Sequence, residues 1–102
     1  MTASLVLDPE HKRIVRDILS EHLPVDFSVR VFGSRARGAS KPYSDLDLAL
    51  KGGAPLPLAL LADLTEAFCE SDLPFKVDVV EWLTATSVMR AAIDRDGVDL
   101  PA

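Results

Sequence analysis

One short stretch, "DLDLAL" from Asp45 to Leu50, alternates strictly between leucine and other residues. Since successive side chains of a β-strand point to opposite faces, the pattern predicts a strand with its leucine face turned to the core. The opposite face then carries Asp45, Asp47 and Ala49. Aspartate is disfavoured in strands, and the two carboxylates would lie ~7 Å apart on the same face, where they repel each other. The fold must therefore bury one face of a sheet and support two like charges on the other.

Apolar spacing and capping residues predict helices and further strands on both sides of this stretch. The predicted strands cover residues 27–32 and 75–82, and the predicted helices cover residues 9–23 and about 57–71, with a last helix from Thr84 to Gly97. The inner face of the last helix is expected to include Val88, Ala92 and Ile93. Strands and helices alternate, so the expected class is α/β (α+β), with a small sheet backed by helices. A chain of 102 residues fits one domain, 1–102.

The charge of the chain is uneven. Its net charge of −5 argues against binding along a nucleic-acid backbone, which usually needs a basic face. A local basic cluster nevertheless lies just before the acidic strand, formed by Arg30, Arg35, Arg37 and Lys41. This distribution favours a small anionic ligand over a nucleic-acid polymer.

Nothing in the sequence predicts a membrane or an oxidising compartment. The longest apolar run, residues 54–62, contains two prolines and is too short to span a bilayer. The first residues have no basic head and are not typical of a secretory signal. Cys69 is the single cysteine, so no intramolecular disulfide can form. The expected location is the cytoplasm.

The carboxylates of Asp45 and Asp47 are candidate metal ligands. Hard divalent cations prefer oxygen ligands, and the pair could hold two metals about 3.5–4 Å apart for in-line phosphoryl transfer. Asp78, in "KVDVV", is the candidate third carboxylate, on the face opposite Val77. The alternative is that these aspartates are solvated residues of an exposed sheet face. Glu81 is expected on the other face from Asp78 and solvated.

The segment "GSRARGAS", Gly33 to Ser40, has the glycines of a P-loop, but Ala39 stands where the phosphate-binding lysine is required. The segment also leads, past Pro42, into the acidic strand instead of a long helix. A different phosphate site is therefore predicted. Glycine allows close approach of the backbone, a helix N-terminus attracts anions, and arginines supply charge. The candidate nucleotide-binding residues are Gly33, Ser34, Arg35 and Arg37.

Together, "GSRARGASKPYSDLDLAL" and the later "VDVVEW" resemble the nucleotidyltransferases of the DNA polymerase β superfamily, and most closely the minimal nucleotidyltransferases. The shared pattern is Gly33-Ser34, Asp45-x-Asp47 and Asp78, and the resemblance covers nearly the whole chain. It implies a mixed sheet flanked by helices and catalysis by Asp45, Asp47 and Asp78. It also implies Mg²⁺, with Mn²⁺ as an alternative, and transfer of AMP from ATP to a hydroxyl.

The resemblance also implies a partner. Minimal members are commonly antitoxins in a hetero-oligomer with a helical HEPN-type ribonuclease toxin, and some transfer AMP to a tyrosine of that toxin. Two alternatives remain open: transfer to a small hydroxylated molecule such as an aminoglycoside, or inhibition of the toxin by binding alone. No direct nucleic-acid binding is expected.

Two other side chains are interpreted as structural. Cys69, beside Phe68 on the second predicted helix, is expected to pack in the interior. Trp82 shares the face of Asp78, so it could stack on a base, but an aromatic residue that closes the core at the end of a strand is the favoured interpretation.

Overall fold

The computed structural model describes residues 7–24, 26–36 and 44–100. In these ranges the chain forms three α-helices, four strands and a short 3₁₀ helix, Trp82–Thr84. The helices are α1 (Pro9–His22), α2 (Leu58–Cys69) and α3 (Ser87–Asp96). The strands are β1 (Ser28–Phe32), β2 (Leu46–Lys51), β3 (Val77–Glu81) and β4 (Val98–Asp99).

The four strands form one sheet in the order β3-β2-β1-β4. Strands β2 and β3 are parallel, whereas β1 runs antiparallel to both β2 and β4. The predicted mixed sheet backed by helices is thus confirmed. The edge strand β4 was not predicted, because it is only two residues long and pairs through Arg30↔Asp99 and Val31↔Val98.

The leucine face of β2 forms the main core, as predicted. Leu46, Leu48 and Leu50 are almost fully buried. Helix α1 packs against this side through Val15 and Leu19, and α2 packs through Leu64 and Phe68. This alternation of period two is what holds the acidic residues of β2 on the other face.

The other face of the sheet is covered by α3. Ile93 of α3 packs with Phe32 of β1 and Ala49 of β2, and Val80, Trp82 and Met89 pack against this second cluster. The layers are therefore α1 and α2, then the sheet, then α3. The acidic residues of β2 and β3 lie on the same side of the sheet as α3.

The ends of α1 were predicted correctly, whereas the start of α3 was not. Asp8 caps α1 by accepting a hydrogen bond from the Glu10 amide at 2.9 Å. Helix α3 is capped by Thr86, which accepts from the Met89 amide at 3.2 Å, because Thr84 belongs to the preceding 3₁₀ helix. Gly97 ends α3 as predicted.

Two apolar side chains predicted to be inside are exposed. Val88 is 79% exposed, because it lies five residues from the buried Ile93 and so faces away from the sheet. Cys69 is also exposed. The buried stripe of α2 runs through Leu64 and Phe68, and the next residue along a helix is rotated out of that stripe. Within the described ranges, no helix is both long enough and apolar enough to cross a membrane.

Candidate active site

The candidate site lies at the end of the sheet where β1 ends and the parallel strands β2 and β3 begin. In the sheet register, Phe32 is paired with Asp47, and Asp47 is paired with Asp78. Neighbouring strands are about 4.8 Å apart, so Asp47 and Asp78 are direct neighbours on the face that also carries α3. Both residues are half-buried. Of the three predicted carboxylates, the structure therefore brings two side by side.

Asp45, the remaining predicted carboxylate, is exposed and lies just before β2. The next residue, Leu46, donates its amide to the carbonyl of Lys76 at 2.9 Å, which ties the start of β2 to the start of β3. Across the described part of the chain, no three His, Cys, Asp or Glu side chains come together as a metal-binding cluster. Asp45 thus stands at the edge of the Asp47–Asp78 pair.

Lys76 contributes a cation that the sequence analysis did not assign. Its Nζ lies 3.3 Å from Oδ1 of Asp78, and both side chains are well exposed to solvent. Such an exposed ion pair adds little to stability, but it places a positive charge at the carboxylates. The signal was present in the sequence, since Lys76 and Asp78 are two residues apart and so share a strand face.

Gly33 lies directly against the carboxylate of Asp47. A Cβ at this position would be 2.3 Å from Oδ2 of Asp47, and Gly33 has a φ of +77°. Both observations require glycine here, because a larger residue would be strained and would displace the carboxylate. Ser34 follows in the same turn and is half-buried. Carboxylate oxygens beside a backbone that carries no side chain are hard ligands that suit a divalent cation.

Arg35 is 3% exposed, whereas Gly33 and Ser34 are half-buried. Its Nε and Nη2 both donate to the carbonyl of Ser44, at 3.0 and 2.9 Å. Its guanidinium carbon lies 4.2 Å from the centre of the Phe75 ring. Burial lowers the pKa of the Arg35 guanidinium from its ordinary value. Arg37, the second predicted arginine, lies outside the described residues.

Glu81 was predicted to be solvated, and this was wrong. It is 8% exposed, and its Oε2 accepts a hydrogen bond from the amide of Leu56 at 2.7 Å. Glu81 lies on the core face of β3 with Val77, next to the connector that follows β2. The carboxylate satisfies a backbone amide that would otherwise be buried without an acceptor.

Trp82 closes the second cluster, as the favoured interpretation predicted. The Nζ of Lys51 lies 4.0 Å from the centre of the indole, and the guanidinium of Arg90 lies 4.3 Å from it. Both cations therefore pack against the indole. The indole Nε1 donates to Asp94 at 3.2 Å. These contacts within the chain favour a structural role for Trp82 over stacking on a base.

A groove of about 520 Å³ lies away from the carboxylates, between α1, the start of β1 and the edge strand β4. It is lined by Arg16, Leu19, Ser20, Leu23, Pro24, Phe27, Ser28, Val29, Asp99 and Leu100. Ser28 and Val29 are at the start of β1, whereas Phe32 at its other end is the partner of Asp47. The groove and the carboxylates are thus at opposite ends of β1.

Comparison with known proteins gives consistent results. A relative from Haemophilus influenzae, named "probable protein adenylyltransferase MntA", is 44% identical over 91 residues, which cover 89% of this chain and 79% of the relative. A chain from a crystal structure of a toxin–antitoxin with AMP-PNP superposes with a TM-score of 0.75 at 23% identity, over 89% of this chain and 73% of that one.

A second solved structure contains a tri-AMPylated Shewanella oneidensis HEPN toxin in complex with an MNT antitoxin. It matches with a TM-score of 0.68 at 21% identity, over 89% of this chain and 69% of the matched chain. The model of the nucleotidyltransferase domain family matches residues 12–97, which include Gly33, Asp47 and Asp78. The fold and the family that the sequence motifs indicated are therefore confirmed, and this chain belongs to the nucleotidyltransferase domain family.

Proposed function

We propose that this chain is a metal-dependent adenylyltransferase and the antitoxin of a toxin pair. It transfers AMP from ATP to a tyrosine hydroxyl of a HEPN-type ribonuclease toxin and so neutralises the toxin. The observation that carries the proposal is the placement of Asp47 beside Asp78, with Gly33 against the Asp47 carboxylate. The similarity to the Haemophilus relative, named as a probable protein adenylyltransferase, and to the antitoxin of the Shewanella complex supports the reaction and the partner.

In this proposal Asp45, Asp47 and Asp78 hold Mg²⁺, or Mn²⁺ in its place. Bound there, the metal would neutralise phosphate charge and polarise the reacting phosphorus–oxygen bonds. Neighbouring carboxylates repel each other, so a dication has more to gain here than at an isolated aspartate. The oxygen donors suit this role, and the absence of a side chain at Gly33 leaves room for the Asp47 carboxylate.

The nucleotide is bound on the turn that follows β1. The backbone at Gly33 and the hydroxyl of Ser34 face the phosphates, and Arg37 adds charge. The acceptor hydroxyl loses its proton to the surrounding water, and its oxygen forms a bond to the α-phosphorus. The bond from that phosphorus to the oxygen bridging to the β-phosphate breaks, and pyrophosphate leaves. A structure of a similar fold contains AMP-PNP, an analogue of ATP, which supports ATP as the donor.

A partner protein supplies the acceptor hydroxyl. The 520 Å³ groove is at the other end of β1 from the carboxylates, so it does not offer an acceptor pocket at the site. A tyrosine presented by a docked toxin removes the need for such a pocket. The proposed pair acts in the cytoplasm, where ATP is available.

The test combines the purified chain, ATP, Mg²⁺ and the HEPN-type protein encoded beside it. We expect the intact mass of the partner to rise by whole AMP units and its ribonuclease activity to be lost. Chelating the metal should prevent both changes. The Asp45→Asn variant should still bind the partner without modifying it.

Two outcomes would replace the proposal. If wild type and Asp45→Asn neutralise the toxin equally and its mass does not change, the chain acts by binding alone. If AMP is transferred efficiently to a small hydroxylated molecule in the absence of the partner, the acceptor is not a protein.

A further inference from the structure

We propose that Arg35 is a positioning residue, which holds the backbone before Asp45 and the segment before Asp78 at a fixed separation. This inference rests on the proposed function, because it assigns a role within the same site. It departs from the direct phosphate contact that the sequence predicted for Arg35.

The contacts of Arg35 join three segments of the chain. The residue itself belongs to the turn after Gly33, and two of its nitrogens donate to the carbonyl of Ser44, directly before Asp45. Its guanidinium packs on the ring of Phe75, three residues before Asp78. Arg35 therefore touches the approach to both carboxylate-bearing strands.

A backbone contact links the same two approaches. The amide of Leu46, the residue after Asp45, donates to the carbonyl of Lys76, the residue after Phe75. The starts of β2 and β3 are thus linked by two contacts, this hydrogen bond and the contacts of Arg35 with Ser44 and Phe75. The relative position of Asp45 and Asp78 depends on both contacts.

The chemistry of this position requires arginine. The planar guanidinium donates from two nitrogens to one carbonyl while its face stacks on an aromatic ring, which an ammonium group cannot do. The ring of Phe75 is itself buried, so the stack is fixed in place. A side chain that is 3% exposed and held in this way acts on the reaction through the carboxylates it positions.

The experiment compares Arg35→Lys, Phe75→Leu and the double variant, with Arg13→Lys as a matched control. Arg13 is exposed and pairs only with surface acids of α1 in the contacts described. We expect Arg35→Lys and Phe75→Leu each to lower kcat about ten- to a hundredfold, since small misplacement of reacting groups is costly. The KM for ATP should stay within about twofold, because no bond to substrate is lost.

The double variant should be little worse than either single variant, because both remove the same stack. Arg13→Lys should behave as wild type. A rise in the KM for ATP with unchanged kcat in Arg35→Lys would show that Arg35 binds the phosphates directly, and would overturn the inference.

A second measurement does not depend on activity. Hydrogen exchange at the Leu46 amide should be faster in Arg35→Lys and in Phe75→Leu than in wild type, while amides within α2 stay unchanged. Exchange at Leu46 that is the same in all variants would also overturn the inference. If the wild type transfers no nucleotide at all, the proposed function fails, and the exchange data still decide whether Arg35 positions the two strands.

Discussion

The two ends of the parallel strand pair β2–β3 carry charge in different ways. At the carboxylate end, Asp47 and Asp78 are neighbours of the same charge, with Gly33 pressed against one of them. At the opposite end, Glu81 accepts a hydrogen bond from the Leu56 amide, and Lys51 lies over the Trp82 ring. The first end sets two carboxylates side by side, with the Lys76 ammonium at Asp78, whereas the second gives Glu81 a backbone amide and Lys51 an aromatic ring.

We expect this difference to separate residues that stabilise the fold from residues that take part in the proposed reaction. Like charges directly opposite each other on neighbouring strands are destabilising, by roughly 0.2–1 kcal/mol. A buried carboxylate that accepts a backbone amide is stabilising instead, because removal would leave the amide without a partner. Replacing a carboxylate by an amide should therefore change the stability of the fold in opposite directions at the two ends.

The largest expected effect comes from replacing a carboxylate by an amide at each end. Asp47→Asn should lower AMP transfer roughly a thousandfold, by analogy with loss of a preorganised electrostatic contact. Its stability should be unchanged or higher, because the repulsion with Asp78 is removed. Glu81→Gln should keep near-normal transfer and lose about 1–2 kcal/mol of unfolding free energy, since a charge-assisted hydrogen bond becomes a neutral one.

AMP transfer is measured from the intact mass of the partner, and the free energy of unfolding of each variant is measured in urea. Asp78→Asn serves as a second test at the carboxylate end and should resemble Asp47→Asn. Near-normal transfer by both Asp47→Asn and Asp78→Asn would contradict the difference between the two ends. Loss of transfer without loss of stability in Glu81→Gln would contradict it as well.

The next effect concerns one glycine near each of these ends, Gly33 and Gly53. Gly33→Ala places a Cβ 2.3 Å from Oδ2 of Asp47 at a residue with φ +77°, so the turn and the carboxylate must both move. We expect about 1–2 kcal/mol of lost stability from backbone strain and a large fall in transfer. Gly53→Ala is the matched control, because nothing lies within 4 Å of its Cβ position.

Gly53→Ala should be neutral or more stable by about 0.4–1 kcal/mol, since it restricts the unfolded chain. Its transfer rate should equal that of wild type. Thermal unfolding and single-turnover transfer compare the two variants. A Gly33→Ala variant that transfers AMP normally would show that close approach at Gly33 is not used.

The sequence was informative wherever the signal is local. The alternation in "DLDLAL" predicted the buried leucine face, and Asp8-Pro9 predicted the start of α1. The candidate residues Asp47 and Asp78 could also be selected, because an isolated acid on an apolar strand is unusual. Their pairing across β2 and β3 could not be derived, since register depends on contacts between distant parts of the chain.

The failures have the same origin. Glu81 is buried because the Leu56 amide, twenty-five residues away, needs an acceptor. Val88 is exposed because α3 turns the face of Ile93 to the sheet, and Val88, five residues earlier, points away from that face. Strand β4 exists only by pairing with β1. Arg35 has the residue type of a phosphate ligand, yet its burial and its contact with Ser44 are set by the tertiary fold.

The smallest expected effect comes from Trp82, and it tests whether the two ends are independent. Trp82→Phe keeps an aromatic ring for Lys51 and Arg90 to pack on but removes the Nε1 donor to Asp94. Loss of one partly exposed hydrogen bond should cost about 0.5–1.5 kcal/mol of unfolding free energy. The KM for ATP should not change, because two cations already pack on the indole and Trp82 follows the end of β3, four residues after Asp78 and so roughly 13 Å of extended chain away. Unfolding in urea measures the free energy of unfolding, and steady-state kinetics measure the KM for ATP. A severalfold rise in the KM for ATP would mean that the indole contacts the base after all, and that nucleotide binding extends over both ends of the strand pair.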